Sequence, residues 1–282
     1  MTDPGTLYVV ATPIGNLDDI SARACDVLRK AVIVAAEDTR RAGQLLTLLG
    51  LKNRLLSLHE HNETKRVDEV LATLRSGGDV ALISDAGTPL ISDPGYRVVE
   101  RVRSEGLPVS PIPGCCAAIA ALSVSGLPTD RFRFEGFLPA RPVARRNRLK
   151  ELADVPETLI LYESVHRIDE VLSDLEALFG AERPVTLARE LTKRYETIYR
   201  GTVAQVREQL AADPGGGKGE FTLVIAAGAG RPVVSSRELE RVVGLLLQSV
   251  SASQAAALAA DITGARKREA YRIASRLKAQ RE

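Results

Sequence analysis

Only three cysteines occur in the 282 residues, and two of them, Cys115 and Cys116, are adjacent. Three thiols build no disulfide framework, and with no C-x-x-C pair there is no structural zinc pattern, so a reducing compartment is expected. The opening Met1-Thr2-Asp3-Pro4 lacks a basic stretch followed by an apolar run, so no secretory signal is expected. Long apolar runs are scarce as well. Residues 106–129 are uncharged but carry four prolines, and residues 242–260 are interrupted by Gln248, Ser249, Ser251, Ser253 and Gln254. Neither reads as a membrane span, and a soluble, cytoplasmic protein with no membrane partner is expected. Charge of one sign is not in excess: the net charge is +2. That excludes nucleic-acid binding by bulk charge and leaves local basic patches open.

A 45% hydrophobic and 26% charged chain is globular, and its length corresponds to about two domains. Short aliphatic runs bounded by Gly, Pro and Asp read as strands: Leu7–Ala11, Val32–Ala36, Leu55–Leu58, Val80–Ser84 and Val109–Ile112. Between them Ile20–Lys30, Arg41–Leu49, Lys65–Ser76 and Tyr96–Ser104 read as helices. Strand–helix alternation with nearly all-apolar strands predicts a mostly parallel sheet covered on both faces. The fold class is therefore α/β. A second α/β unit is expected from strands at Thr158–Tyr162, Val185–Arg189, Glu196–Tyr199 and Phe221–Ala226, followed by a helical region. The expected division is an N-terminal α/β domain over 1–127, a second over 128–230 and a small helical C-terminal region over 231–282.

Three loops carry the chemistry. The first strand runs into Thr12-Pro13-Ile14-Gly15-Asn16-Leu17, the fourth into the twelve residues Ser84–Gly95, and the fifth into Pro113-Gly114 before an Ala-rich helix. Ligands bind at the carboxyl edge of open α/β sheets, and loops longer than about six residues are usually functional. Three such loops at one edge describe a pocket for a small polar cofactor. The first loop is not G-x-G-x-x-G, so a dinucleotide fingerprint is absent.

These segments, together with Glu37-Asp38-Thr39-Arg40, Leu161–Arg167 and Lys218-Gly219-Glu220-Phe221, resemble the motifs of one family. It is the ribosomal RNA small subunit methyltransferase I group of the tetrapyrrole-methylase superfamily. The motifs run in order through residues 7–227. The resemblance implies two α/β domains with S-adenosyl-L-methionine in the cleft between them, 2′-O-methylation of a cytidine ribose in 16S rRNA of the small ribosomal subunit, and a homodimer. It places Pro13, Ile14, Asp85, Ala86, Gly87, Thr88, Leu90, Ile91, Ser92, Cys116 and Ala117 on the cofactor from the first domain. From the second it places Tyr162, Glu163, Leu191 and Gly219 there. Two positions depart from the pattern: Cys115-Cys116 stand where the family has Pro-Ser, and Asn16 stands where tetrapyrrole enzymes often have Asp. Alternatives are a small-molecule (tetrapyrrole) methylase and an RNA-binding module without turnover.

Methyl transfer to a hydroxyl needs a group to handle the proton. Asp38 and His61 are the candidates, with Arg40 positioning phosphate; capping of the next helix is the alternative role for Asp38. His59-Glu60-His61 has poor spacing for metal ligands, and no metal site is expected. The stretch 131–150 holds seven Arg or Lys against one Glu, interleaved with Phe132, Phe134 and Phe137. Arg141, Arg145, Arg146 and Arg148 are candidate phosphate contacts and the phenylalanines candidate stacking groups, an interdomain connection with core aromatics being the alternative. Lys267 and Arg268, in a C-terminal segment with a net charge of +5 over 264–282, extend the candidate RNA surface.

Overall fold

The computed structural model describes residues 3–58, 63–228, 236–265 and 267–279. The first sheet holds β1 (Leu7–Val10), β2 (Ile33–Ala36), β3 (Arg54–Ser57), β4 (Val80–Ile83) and β5 (Val109–Ile112) in the order β3-β2-β4-β1-β5, all parallel. β2 and β4 are buried at every position because helices cover both faces. On one face α3 (Glu63–Arg75) and α4 (Tyr96–Ser104) enclose Val70, Leu71, Leu74, Val98 and Val102. On the other, α1 (Ala22–Lys30) and α2 (Thr39–Leu48) bury Ala24, Leu28, Ala42 and Leu46, each pair four residues apart on one helix face. Pro111 sits in β5, where an edge strand tolerates the missing N–H.

The second sheet is mixed, in the order β6-β7-β10-β8-β9. β6 (Phe132–Phe137) runs parallel to β7 (Thr158–Ser164), and β10 (Glu220–Ile225), β8 (Pro184–Arg189) and β9 (Thr197–Thr202) continue it antiparallel. β6 lies inside the basic stretch, where the interspersed Arg residues mask its strand character in the sequence. One face packs on α6 (Pro142–Leu152), α7 (Ile168–Phe179) and α8 (Val203–Ala212). The other face is covered by α5 (Ala117–Ser125), whose Ala118, Ala121 and Leu122 meet Ile160, Ala188 and Val224. Small side chains on α5 let the helix that follows the first sheet seat closely on the second.

After residue 235 come α9 (Ser236–Leu246), α10 (Ala252–Thr263) and α11 (Lys267–Ala279), packed through Ala256, Ala259, Ala270 and Ala274. A capping box between Ser251 and Gln254 starts α10, and Gly264 in the left-handed region ends it. Among the described residues no helix is long and apolar enough to cross a membrane.

The basic stretch needs a correction. On α6 the inward positions are Arg145, Leu149 and Leu152, spaced as one helix face. Arg145 is 3% exposed, donates from Nε to Asp174 Oδ2 at 2.7 Å and pairs through Nη1 with Glu170 at 2.9 Å. Arg148 is likewise engaged, by Glu135 and Glu151, each at 2.6 Å. The helix turns these two arginines onto protein carboxylates rather than outward to phosphate. Arg141 at the N-cap of α6, Arg146 on α6 (3.8 Å from Asp174), and Lys267 and Arg268 on α11 are exposed.

Candidate active site

Strand order explains why three separated loops meet. β4, β1 and β5 are neighbours, so the loops leaving their carboxyl ends lie side by side. Hydrogen bonds lace them together. Thr12 and Gly87 exchange backbone bonds at 2.9 and 3.1 Å, joining the first loop to the second. The Thr88 hydroxyl donates to the Cys115 carbonyl at 2.9 Å, joining the second to the third. Gly87 has φ +82°, a conformation costly for any residue with a Cβ. Leu90 and Ser92, with φ of 73° and 68°, carry that cost without being glycine.

The second sheet faces these loops across a cleft of about 330 Å³. Tyr162 of β7 reaches over so that its hydroxyl accepts the Ala118 N–H at 3.0 Å, at the first turn of α5. Burial pushes its phenol well above the usual range, so it stays protonated. Phe134 and Phe137 meet the Tyr162 ring edge-to-face at 4.9 and 5.7 Å. A bulge between Phe134 and Gly136 shifts the register of β6, and Phe137 emerges at the cleft rim, 57% exposed. Glu163 is buried; its Oε2 lies 3.1 Å from Arg167, which also donates to the Leu138 carbonyl at 2.9 Å. The segment after β8 closes the far side. Lys193 bridges Glu190 at 2.7 Å and Glu220 at 2.9 Å, and a Cβ on Gly15 would collide with Lys193 Cγ. Gly15 thus lets the first loop touch the second domain.

Of the residues assigned to the cofactor from sequence, Ile14, Asp85, Ala86, Gly87, Thr88, Ile91, Ser92, Cys116 and Ala117 line the cleft from the first domain. Tyr162, Glu163 and Leu191 line it from the second. Three do not. Pro13 turns the first loop, Leu90 packs on the core of the first sheet, and Gly219 backs Glu190. Arg41, Asp93, Phe137, Lys193 and Glu220 also line the cleft, although no cofactor role is expected of them from sequence. Asp93 stands in the same long loop as Asp85, and loop length is the signal that points to it.

The carboxylates of this edge differ in state. Asp38 caps α2, accepting the Arg40 N–H at 2.8 Å, and its other oxygen pairs with the Arg40 guanidinium at 2.7 Å. Those contacts with Arg40 hold its pKa down to about 2. Asp38 lies outside the cleft lining, and its contacts are those of a helix cap, the alternative role weighed for it from sequence. Arg40 points to solvent on the same pair. Asp85 accepts the Asp38 N–H at 3.2 Å and pairs with Arg41 at 3.1 Å. Asp93 is half-buried, and burial first, then the charges of Glu37 and Asp85, raise its pKa to about 6 against the opposing Ser84 hydroxyl. His61, with His59 and Glu60, lies outside the described residues.

Residues 6–207 match the family profile of the tetrapyrrole (corrin/porphyrin) methylases, and residues 233–278 match the RsmI C-terminal HTH domain. Ribosomal RNA small subunit methyltransferase I of Xylella fastidiosa strain Temecula1 is 51% identical over 271 residues, covering 96% of this chain and 99% of that protein. The proteins of that name from Pseudomonas aeruginosa and Escherichia coli O157:H7 are 50% and 47% identical, over 96% of this chain and 96% and 94% of theirs. The chain belongs to the ribosomal RNA small subunit methyltransferase I family. Among solved structures, cobalt precorrin-4 methyltransferase shares the fold with a TM-score of 0.58 at 21% identity, over 78% of this chain and 94% of that one. Uroporphyrin-III-C-methyltransferase from Thermus thermophilus gives 0.52 at 24%, over the same shares. As a methyltransferase of this family the chain uses a methyl donor.

Proposed function

We propose that the chain transfers the methyl group of S-adenosyl-L-methionine to the ribose 2′-hydroxyl of a cytidine in 16S rRNA of the small ribosomal subunit, acting in the cytoplasm as a homodimer. The observation that carries the reading is the single cleft lined by the carboxyl-edge loops of one sheet and by β7 and the 190–193 segment of the other. Its volume, about 330 Å³, falls in the range of small-molecule sites. The donor fits its lining. Ile14, Ala117 and Leu191 offer apolar walls, the Ala86–Thr88 backbone offers polar groups, and Asp85 and Glu163 complement positive charge. The donor supplies an electrophilic methyl on a cationic sulfur; the chain supplies alignment of that methyl with the acceptor oxygen.

On the RNA side, Arg141, Arg146, Lys267 and Arg268 are exposed for phosphate, and Phe137 presents an aromatic face at the cleft mouth where the target base would stack. The homodimer is checked by sedimentation at micromolar concentration, which should give twice the mass of one chain. The test of the reaction is incubation with methyl-labelled donor and small subunits lacking the modification. Label in an alkali-resistant cytidine of 16S rRNA is expected. Label accepted instead by a tetrapyrrole, or donor binding without turnover, would overturn the reading.

A further inference from the structure

β8 and β9 are joined by a seven-residue hairpin loop, 190–196, longer than the usual ~2–5 residues. It springs directly from the cleft wall. Leu191 and Lys193 line the cleft, and the next two residues, Arg194 and Tyr195, are exposed beside it. The Arg194 guanidinium lies over the Tyr195 ring, 5.5 Å from its centroid and within cation–π reach, and the tyrosine is 66% exposed. We propose that Arg194 and Tyr195 form a stacking platform for an unpaired nucleotide close to the target in the rRNA strand, an inference that rests on the rRNA reading above.

The hairpin is built to hold that pair outward. Glu190 and Thr192 keep φ of 52° and 64°, rare for residues with a Cβ, and such strain persists where the surroundings impose it and gathers at functional sites. Two successive turns close the loop: the Lys193 N–H donates to the Glu190 carbonyl at 3.0 Å, and the Glu196 N–H to the Lys193 carbonyl at 3.1 Å. Arg189, 6% exposed, pins the base of the hairpin, donating from Nη2 to the Tyr195 carbonyl at 3.4 Å and the Thr197 hydroxyl at 3.2 Å. The backbone under Tyr195 is thereby ordered before RNA arrives, which lowers the entropy cost of stacking on it.

Charge at the hairpin favours a phosphate. Its acids are engaged internally: Lys193 holds Glu190 and Glu220, and the Glu196 carboxylate accepts the Thr192 N–H at 2.6 Å. Among the described residues no carboxylate lies within 4 Å of the Arg194 guanidinium, so its charge is available to the RNA backbone. One face of the Tyr195 ring lies under that guanidinium, and the exposed remainder offers the other face to a base of any identity. Bases inside a duplex are closed to such a ring, so the partner is single-stranded RNA. Position ties this contact to the strand that reaches the cleft. Phe137, Tyr162, Thr222 and Ala188 stand in one row across β6, β7, β10 and β8. Phe137 and the β8 end of that row, from which the hairpin springs, are three strand spacings or about 14 Å apart. A strand held at both ends lies across the cleft mouth with its target ribose between them.

The chain contains no tryptophan, so Tyr195→Trp places a single indole fluorophore on the platform. Its emission is expected to be quenched by a short unpaired RNA oligonucleotide and not by the same oligonucleotide paired with its complement. Filter binding to small subunits lacking the modification reads affinity: Tyr195→Ala should weaken it about 5–150-fold, with Tyr195→Phe within about threefold of wild type. Arg194→Gln should lower the slope of log K against log salt by about 0.7–0.9. Single-turnover methylation at saturating subunits and calorimetric donor affinity should both stay within about threefold in every variant, because the platform holds RNA and touches neither the donor nor the reacting oxygen. A Tyr195→Ala chain that binds small subunits as wild type does, a tryptophan whose emission the unpaired strand leaves unchanged, or a loss of donor affinity matching the loss of RNA affinity would overturn the proposal. So would a Tyr195→Ala chain that sediments at half the wild-type mass, since the ring would then be a contact between copies. A wild-type chain that binds no small subunit would instead overturn the rRNA reading itself.

Discussion

Arg145 and Asp174 form a buried ion pair between α6 and α7, with the Arg145 Nε donating to Asp174 Oδ2 at 2.7 Å. Both residues are almost wholly withdrawn from water. Removing one partner leaves the other charge buried and uncompensated. Arg145→Ala is expected to destabilise the protein by about 3–5 kcal/mol, read by urea unfolding, whereas Arg146→Ala should change stability by less than about 0.5 kcal/mol. Equal effects for the two would contradict the distinction drawn from burial.

The exposed bases make a different prediction. If Arg141 and Arg146 neutralise phosphates, the double change to Gln weakens RNA binding and reduces the slope of log K against log salt by about 0.7–0.9 for each phosphate no longer neutralised. Donor affinity should not move. Binding titrations at several salt concentrations check this, and an unchanged slope would remove these arginines from the RNA surface.

Phe137 is exposed at the cleft rim with its edge supported by Tyr162. Phe137→Ala removes a stacking face worth about 1–3 kcal/mol, so RNA affinity should drop roughly 5–150-fold, with Phe137→Trp near wild type. Calorimetry with the donor alone identifies the base involved. A matching loss of donor affinity would place the donor's adenine, rather than the target cytosine, on this ring.

Gly87 occupies φ +82° in the loop bonded to Thr12, with Ile14 Cγ2 3.3 Å from the position of a Cβ. A valine there carries about 1–2 kcal/mol of backbone strain. Gly87→Val should therefore reduce donor affinity about tenfold or more by calorimetry, with the far-UV circular dichroism unchanged. Wild-type affinity would sink the assignment of this loop to the donor.

Asp38 links acidity to stability. Its folded pKa, near 2, lies below the ordinary value of 3.8, so its contribution is complete above about pH 4 and is lost as pH falls towards 2. The stability difference between wild type and Asp38→Asn should be constant at neutral pH and shrink over that window. Methylation by the variant should stay within about threefold of wild type, since Asn caps a helix as well as Asp. A loss of 10²-fold or more would return the catalytic role to Asp38.

The amino-acid sequence by itself determined the local elements. Aliphatic runs such as Ile33–Ala36 and Val80–Ile83 can only be strands buried on both faces, and the turn-rich segment Ser84–Gly95 is too long to be a mere connection. Loop length and turn composition pointed to a pocket at one sheet edge, and the resemblance to the methyltransferase family supplied twelve of the residues that line it. Tertiary structure decided the rest. Only the order β4-β1-β5 brings three loops to one place, since strand neighbours are fixed by long-range hydrogen bonding and not by local pattern. Arg145 looks like a surface charge in sequence; the rotation of α6 against α7 turns it inward, where Asp174 and Glu170 meet it. Asp38 and Asp93 are the same side chain in two different loops. Their basicity differs because an adjacent guanidinium favours the ionised form of the first, while burial and two neighbouring carboxylates raise the proton affinity of the second.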